Sequence, residues 1–204
     1  MKIPLDSKGS AAIALAAFLG VLAAVPTVTS ASTKVIGGGM ATDCSRRALA
    51  GEYDQQALRA CDLALETQPL GRSDAAKTHV NRAVIYLRRA DFLRSERDLS
   101  SAERLLPSLP EVFINRGAIL IRTQRYADAV REIDRGLALG PSEPEKAYYN
   151  RAVARERLED IKGAFADYSK AVQLAPNWDE PKKQLERFEV APAPPRPRPQ
   201  RPQG

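Results

Sequence analysis

Few side chains in this chain can carry covalent or metal chemistry. One histidine, His79, and two cysteines, Cys44 and Cys61, stand among 204 residues. A lone imidazole cannot complete a protein-ligated zinc site or a His-dependent catalytic centre. No Ser, Asp or Cys lies at a spacing that marks a partner for it. The cysteines are not arranged Cys-x-x-Cys, which argues against a redox centre, and Gly37-Gly38-Gly39 lacks the Lys-Ser/Thr of a phosphate loop. No cofactor and no metal are expected, and the chain reads as a non-enzyme. What recurs is chemistry suited to recognition. Asn81-Arg82, Asn115-Arg116 and Asn150-Arg151 return at intervals of 34 and 35 residues, each an amide that both donates and accepts beside a guanidinium. Each of these arginines has an acid 16 residues further on: Arg82 with Asp98, Arg116 with Glu132 and Arg151 with Asp167.

Residues that recur at this period need elements that recur with them. Pro107, Pro141 and Pro176 return at 34 and 35, and Pro69 precedes Pro107 by 38, the surplus falling in the loop at Leu70–Asp74. Three columns hold only small residues: Ser45, Ala83, Gly117 and Ala152; Ala57, Ser95, Ala129 and Ala164; Ala64, Ala102, Gly136 and Ala171. Apolar residues at helical spacing (Val84, Tyr86, Leu87; Val130, Ile133, Leu137) are broken near Arg89-Ala90-Asp91 and Gln124-Arg125, which predicts pairs of short helices. With 44% hydrophobic and 27% charged residues, a folded core is expected and wholesale disorder is excluded.

The unit Phe113, Gly117, Tyr126, Ala129, Ile133, Gly136, Pro141 follows the aromatic, Gly, Tyr, Ala, large apolar, small, Pro order of the tetratricopeptide repeat, and the chain resembles that family from about Asp43 to Trp178. The resemblance implies an all-α fold, a right-handed superhelical solenoid of antiparallel helix pairs. Four units are expected, at about 43–69, 76–107, 110–143 and 145–178, closed by a polar capping helix at 179–189. The first unit departs most from the pattern, since no aromatic opens it and its turn holds an extra residue. Arg155 stands where the family prefers an apolar residue.

Antiparallel pairing sets Cys44 opposite Cys61 on the two helices of the first unit. A disulfide is expected there, with two buried thiols as the alternative. The same geometry makes Arg82–Asp98, Arg116–Glu132 and Arg151–Asp167 structural ion pairs rather than ligand hooks. In the family the first helix of each pair lines a groove. Carried over, its positions are Lys77, Val80, Asn81, Val84 and Arg88; Glu111, Ile114, Asn115, Ile121 and Arg122; Lys146, Tyr149, Asn150, Val153 and Arg157. The asparagines could grip an extended peptide backbone, the apolar residues could seat its side chains and the arginines could meet acidic ones, while the apolar residues could equally serve packing between units. Some members clamp the acidic tails of heat-shock chaperones with two Lys, two Asn and one Arg. Here only Asn115 and Lys146 match, with Val80 and Val84 in place of Lys and Asn and Asn150 in place of Arg, so that function is rejected. His79 shares the column of Phe113 and Tyr148 and is expected to pack.

Outside the repeats, residues 1–31 have the layout of a secretory signal peptide: Lys2 and Lys8, an apolar run from Ala11 to Val25, and Thr29 and Ala31 suited to cleavage after Ala31. The alternative is an uncleaved N-terminal membrane anchor. Residues 32–42 read as a Gly-rich linker and 191–204, with six prolines and three arginines, as a disordered tail. The net charge of +6 is concentrated at the ends. Residues 32–190 hold 26 basic against 24 acidic side chains, which disfavours nucleic acid as a partner. The expectation is therefore an exported protein, periplasmic or secreted. It serves as a non-catalytic scaffold holding a peptide or protein partner in its groove, or alternatively as an envelope tether whose Arg/Pro tail binds an anionic surface.

Overall fold

The computed structural model describes residues 3–6, 27–35 and 39–191. Four helix pairs follow in chain order: α1 (Met40–Ala50) and α2 (Gln55–Thr67), α3 (Arg72–Arg88) and α4 (Phe92–Leu105), α5 (Pro110–Arg122) and α6 (Tyr126–Ala138), α7 (Pro144–Arg157) and α8 (Ile161–Leu174). A short helix α9 (Asp179–Leu185) closes the stack. The fold is an all-α helical repeat. Beside it, a strand β1 (Ile3–Asp6), which lies within the expected signal segment, pairs in parallel with β2 (Phe188–Ala191).

The turns inside the pairs show how local sequence sets the repeat. Asp54, Asp91 and Asp160 sit just before α2, α4 and α8 and accept from the backbone N–H three residues on, satisfying a helix N-terminus. In the third pair Arg125 takes that place and makes no such bond. The bend before it needs a left-handed backbone: Ala90, Gln124 and Glu159 adopt φ of 60, 61 and 62°. The first pair uses Gly51 at φ 80°, the residue that reaches this region without steric cost. Pro110 and Pro144 open α5 and α7, where a missing N–H costs nothing.

Between the helices of a pair, the small columns let large residues in. Gly117 faces Ile133, while Ala83 shares a buried cluster with Leu99 and Ala152 one with Tyr168. At Gly117 a Cβ would stand 2.4 Å from Cγ1 of Ile133, and at Gly136 it would stand 2.8 Å from Cγ1 of Ile114, so both glycines are required by close approach. The Cys44–Cys61 disulfide is present, with 4.7 Å between the Cα atoms, and buries both residues in the core of the first pair.

Three boundaries differ from the sequence reading. The expected linker 32–42 is split: Ser32, Thr33 and Val35 are buried against the helices, and Met40 to Thr42 already belong to α1. The expected cap 179–189 is shorter, because Glu186 and Arg187 turn the chain into β2, whose Phe188 packs on Phe165 and Tyr168 at 5.6 and 6.1 Å. Ala191, expected in the tail, ends that strand, while 192–204 lie outside the described residues. Among the described residues no helix is long and apolar enough to cross a membrane. The apolar run at 11–25 is outside them.

Candidate peptide groove

Residues 27–35 carry no helix and lie along the face formed by α1, α3, α5 and α7. The repeated asparagines hold them. Oδ1 of Asn150 accepts the N–H of Thr29 at 2.8 Å while its Nδ2 donates to the Thr29 carbonyl at 2.7 Å. Asn115 does the same for Ala31 at 2.9 and 2.7 Å, and Asn81 for Thr33 at 2.8 and 2.9 Å. Each unit thus takes up both backbone groups of every second residue, and the segment runs opposite to the order of the units. Two residues of extended chain advance roughly 6.6 Å, the step that adjacent asparagines must match.

Hydroxyl bonds add to this frame. Thr33 Oγ1 donates to the Lys77 carbonyl at 3.0 Å and Thr29 Oγ1 to the Lys146 carbonyl at 3.4 Å. In the first pair, which lacks the asparagine, Ser45 Oγ donates to the Thr33 carbonyl at 2.8 Å and accepts the N–H of Val35 at 3.1 Å. The sequence had placed Ser45 only in a column of small packing residues; its hydroxyl was the one available sign of a second role. Ala31 and Val35 join the hydrophobic core, and Ser30, Ser32 and Thr33 are buried on both sides. Ala31, Ser32, Thr33 and Val35 are closed in by the helices, whereas Ser30 borders a cleft.

Of the other predicted groove residues, Val80, Val84, Ile114, Tyr149 and Val153 are fully buried, and Ile121 nearly so, beneath the segment and between units. Burial, together with nearby Glu180 and Glu156, pushes the Tyr149 hydroxyl up to about 12. Arg122 stacks over Phe92 at 5.5 Å and Arg157 over Tyr126 at 5.9 Å. Lys146 pairs with Glu143 at 2.7 Å. Arg88 donates to Ser30 Oγ at 3.3 Å; the groove walls desolvate its guanidinium and lower its pKa. Trp178, which the sequence did not suggest, stacks on Tyr149 at 4.9 Å and lines a cleft beside Thr29.

Glu111 is the groove's misfit. It is buried, and its Oε2 finds no hydrogen-bond donor. Burial raises its pKa, Glu143 adds to the rise, and Lys77 opposes it. A carboxyl raised in the folded state weakens folding as pH climbs from its ordinary value of 4.5 through the raised one. Glu111→Gln is therefore expected to raise Tm at pH 7 by about 3 °C, the shift that about 1 kcal/mol makes in a domain of this size. The gain should vanish in melts below pH 4.5, where both forms are neutral.

The ion pairs behave unequally. Arg82 reaches Asp98 through two bonds of 2.7 and 2.8 Å and also Asp62 of the preceding pair at 2.8 Å. Arg151 does likewise with Asp167 and Asp134. Arg116 departs from expectation. Glu132 stands at 3.8 Å, and the guanidinium turns instead to Glu96 and Glu103 of the preceding pair at 2.9 and 3.1 Å. His79 also differs, since its Nδ1 meets Asp98 Oδ1 at 2.8 Å, a partner 19 residues away. Arg155 joins the Asp167 carboxylate at 2.9 Å, which accounts for a cation at an apolar position of the pattern. Among the described residues no group of three or more His, Cys, Asp or Glu is arranged to hold a metal.

Residues 145–177 match the family model of the tetratricopeptide repeat. Solved structures of similar fold include the Arabidopsis OM64 TPR domain (21% identity over 57% of this chain and 96% of that one, TM-score 0.53). A second is the first TPR of Spaghetti (RPAP3) bound to the HSP90 peptide SRMEEVD (24%, 55% and 89%, TM-score 0.51). A third is MamA from Desulfovibrio magneticus RS-1 (20%, 72% and 82%, TM-score 0.53). No curated protein matches the chain in sequence. One tetratricopeptide repeat is thus matched in sequence, over 145–177, and the helix pairs of the chain share the fold of these repeat domains.

Proposed function

We propose that this protein is an exported, non-catalytic scaffold of the cell envelope that holds an extended peptide of a protein partner in its concave groove. The observation that carries the reading is the grip of Asn81, Asn115 and Asn150 on both backbone groups of alternate residues of an extended strand. Backbone recognition of this kind supplies affinity without demanding a particular sequence, and the side-chain space along it supplies selection. A related fold, the RPAP3 domain, is described as bound to a peptide. The signal-like layout of residues 1–31 and a disulfide suited to an oxidising compartment support export. In this picture the chain is exported with its N-terminal segment uncleaved, the alternative to cleavage after Ala31, and residues 27–35 are the resident strand that a partner replaces.

Cross-linking and pull-down from the native envelope, with wild type and an Asn115→Ala/Asn150→Ala variant side by side, tests the proposal. The expected result is a partner retained by the wild type, retained after removal of residues 192–204, and lost by the double variant while its helical circular dichroism is unchanged. A partner that persists on the double variant would overturn the groove as the site.

A further inference from the structure

The resident strand satisfies the asparagines but leaves the cations beside it unanswered. Arg88 and Arg122 face a cleft of about 490 Å³ that is also lined by Ser30, Lys146, Tyr53 and Trp178. Among the described residues no carboxylate stands within ion-pair distance of either arginine, whereas Arg82 and Arg116 of the same helices, and Arg151 of α7, each hold two or more. The strand offers Arg88 one contact, the Ser30 hydroxyl at 3.3 Å. A desolvated guanidinium answered by a single long neutral bond is poorly matched, and a carboxylate there makes a shorter and stronger one.

Geometry determines which position of a bound strand can supply it. Thr29, Ala31 and Thr33 give their backbone to the asparagines. The side chain between the first two, at Ser30, meets Arg88 and borders the cleft, so a longer side chain has room there. Positions 31 and 33 are closed in by core residues.

We propose that the groove's partner is an extended peptide with an Asp or Glu at the place of Ser30 and small residues at the three places that follow, its carboxylate meeting Arg88 and Arg122. This rests on the groove reading above. The acid gives the partner an advantage over the tethered strand, which has only a serine to offer.

Two arms test it on the full-length chain. In trans, fluorescein-labelled Val-Thr-Asp-Ala-Ser-Thr-Lys-Val is compared by anisotropy with the peptides carrying Asn or Ser at the third place. The Asp peptide is expected to bind about ten times tighter than the Asn peptide, as a charge-assisted bond provides. That gap should close in Arg88→Ala/Arg122→Ala and at high salt. In cis, where no displacement is needed, Ser30→Asp should melt about 4 °C above Ser30→Asn in wild-type background and level with it in Arg88→Ala. Equal affinity of the Asp and Asn peptides, or a Ser30→Asp melt no higher than that of Ser30→Asn, would overturn the acid preference and leave the groove reading standing. Failure of the groove reading looks different: Asn115→Ala/Asn150→Ala would change neither peptide binding nor the melt.

Discussion

Asp98→Ala is expected to lower the folding free energy by about 3 kcal/mol and Tm by roughly 6–12 °C, since removing one partner strands the other's buried charge. The Asp98 side chain is 6% exposed and accepts from three donors: Arg82 Nε at 2.8 Å, Arg82 Nη2 at 2.7 Å and His79 Nδ1 at 2.8 Å. Burial alone would raise its pKa, yet the Arg82 and His79 bonds outweigh burial and hold the carboxyl below its ordinary 3.8. A carboxyl lowered in the folded state contributes stability above pH 3.8 that is lost as pH falls through the lowered value. The variant should therefore differ most from wild type at neutral pH and converge with it at the acid end of a melt series. The informative control is Glu132→Gln at the matching position of the next pair. Glu132 lies 3.8 Å from Arg116 and its Oε2 has no hydrogen bond, so a change of less than about 0.5 kcal/mol is expected. A loss at Glu132 as large as at Asp98 would show that sequence spacing, not bonding geometry, sets these energies.

Cys44→Ser/Cys61→Ser should cost about 3 kcal/mol in the chain-entropy account, because the bond closes a loop of 17 positions. The loss is local in origin. The first pair has the short helix α1, and its core cluster is built around Ala48, Ala57, Leu58, Ala60 and the two cysteines. Once it frays, Ser45 can no longer hold Thr33 and Val35, and Ser32 loses its bond to the Ala48 carbonyl. Hydrogen exchange on the variant is expected to rise first in 40–67 and in 32–35, with α7 and α8 still protected. Uniform exchange over all four pairs would contradict a stack whose units are held mainly by their neighbours.

The helices were readable because the determinants of the pairs are local and repeated: small residues at close approaches, apolar residues at helical spacing, breaks within each pair and proline between units. Where the sequence misled, a contact between distant segments overrode local character. Thr29 to Val35 have the polar, small composition of a cleavage region and linker, and nothing within nine residues shows that their backbone meets Asn81, Asn115 and Asn150. The asparagine period announced a backbone grip, but its strand lies 48, 84 and 121 residues away in sequence. Arg116 shows the same limit. A spacing of 16 residues identifies a facing acid, while side-chain length and the acids of the neighbouring pair decide which one it bonds.

The asparagine grip has a consequence for orientation. An amide that rotates by half a turn about its last bond exchanges donor and acceptor, so Asn81, Asn115 and Asn150 serve a strand running either way, as does the hydroxyl of Ser45. The resident strand points as it does because a covalent tether of a few residues joins Val35 to α1. A free peptide is under no such constraint. The ladder measures pitch and is blind to polarity, so direction becomes a property of the ligand's own asymmetry.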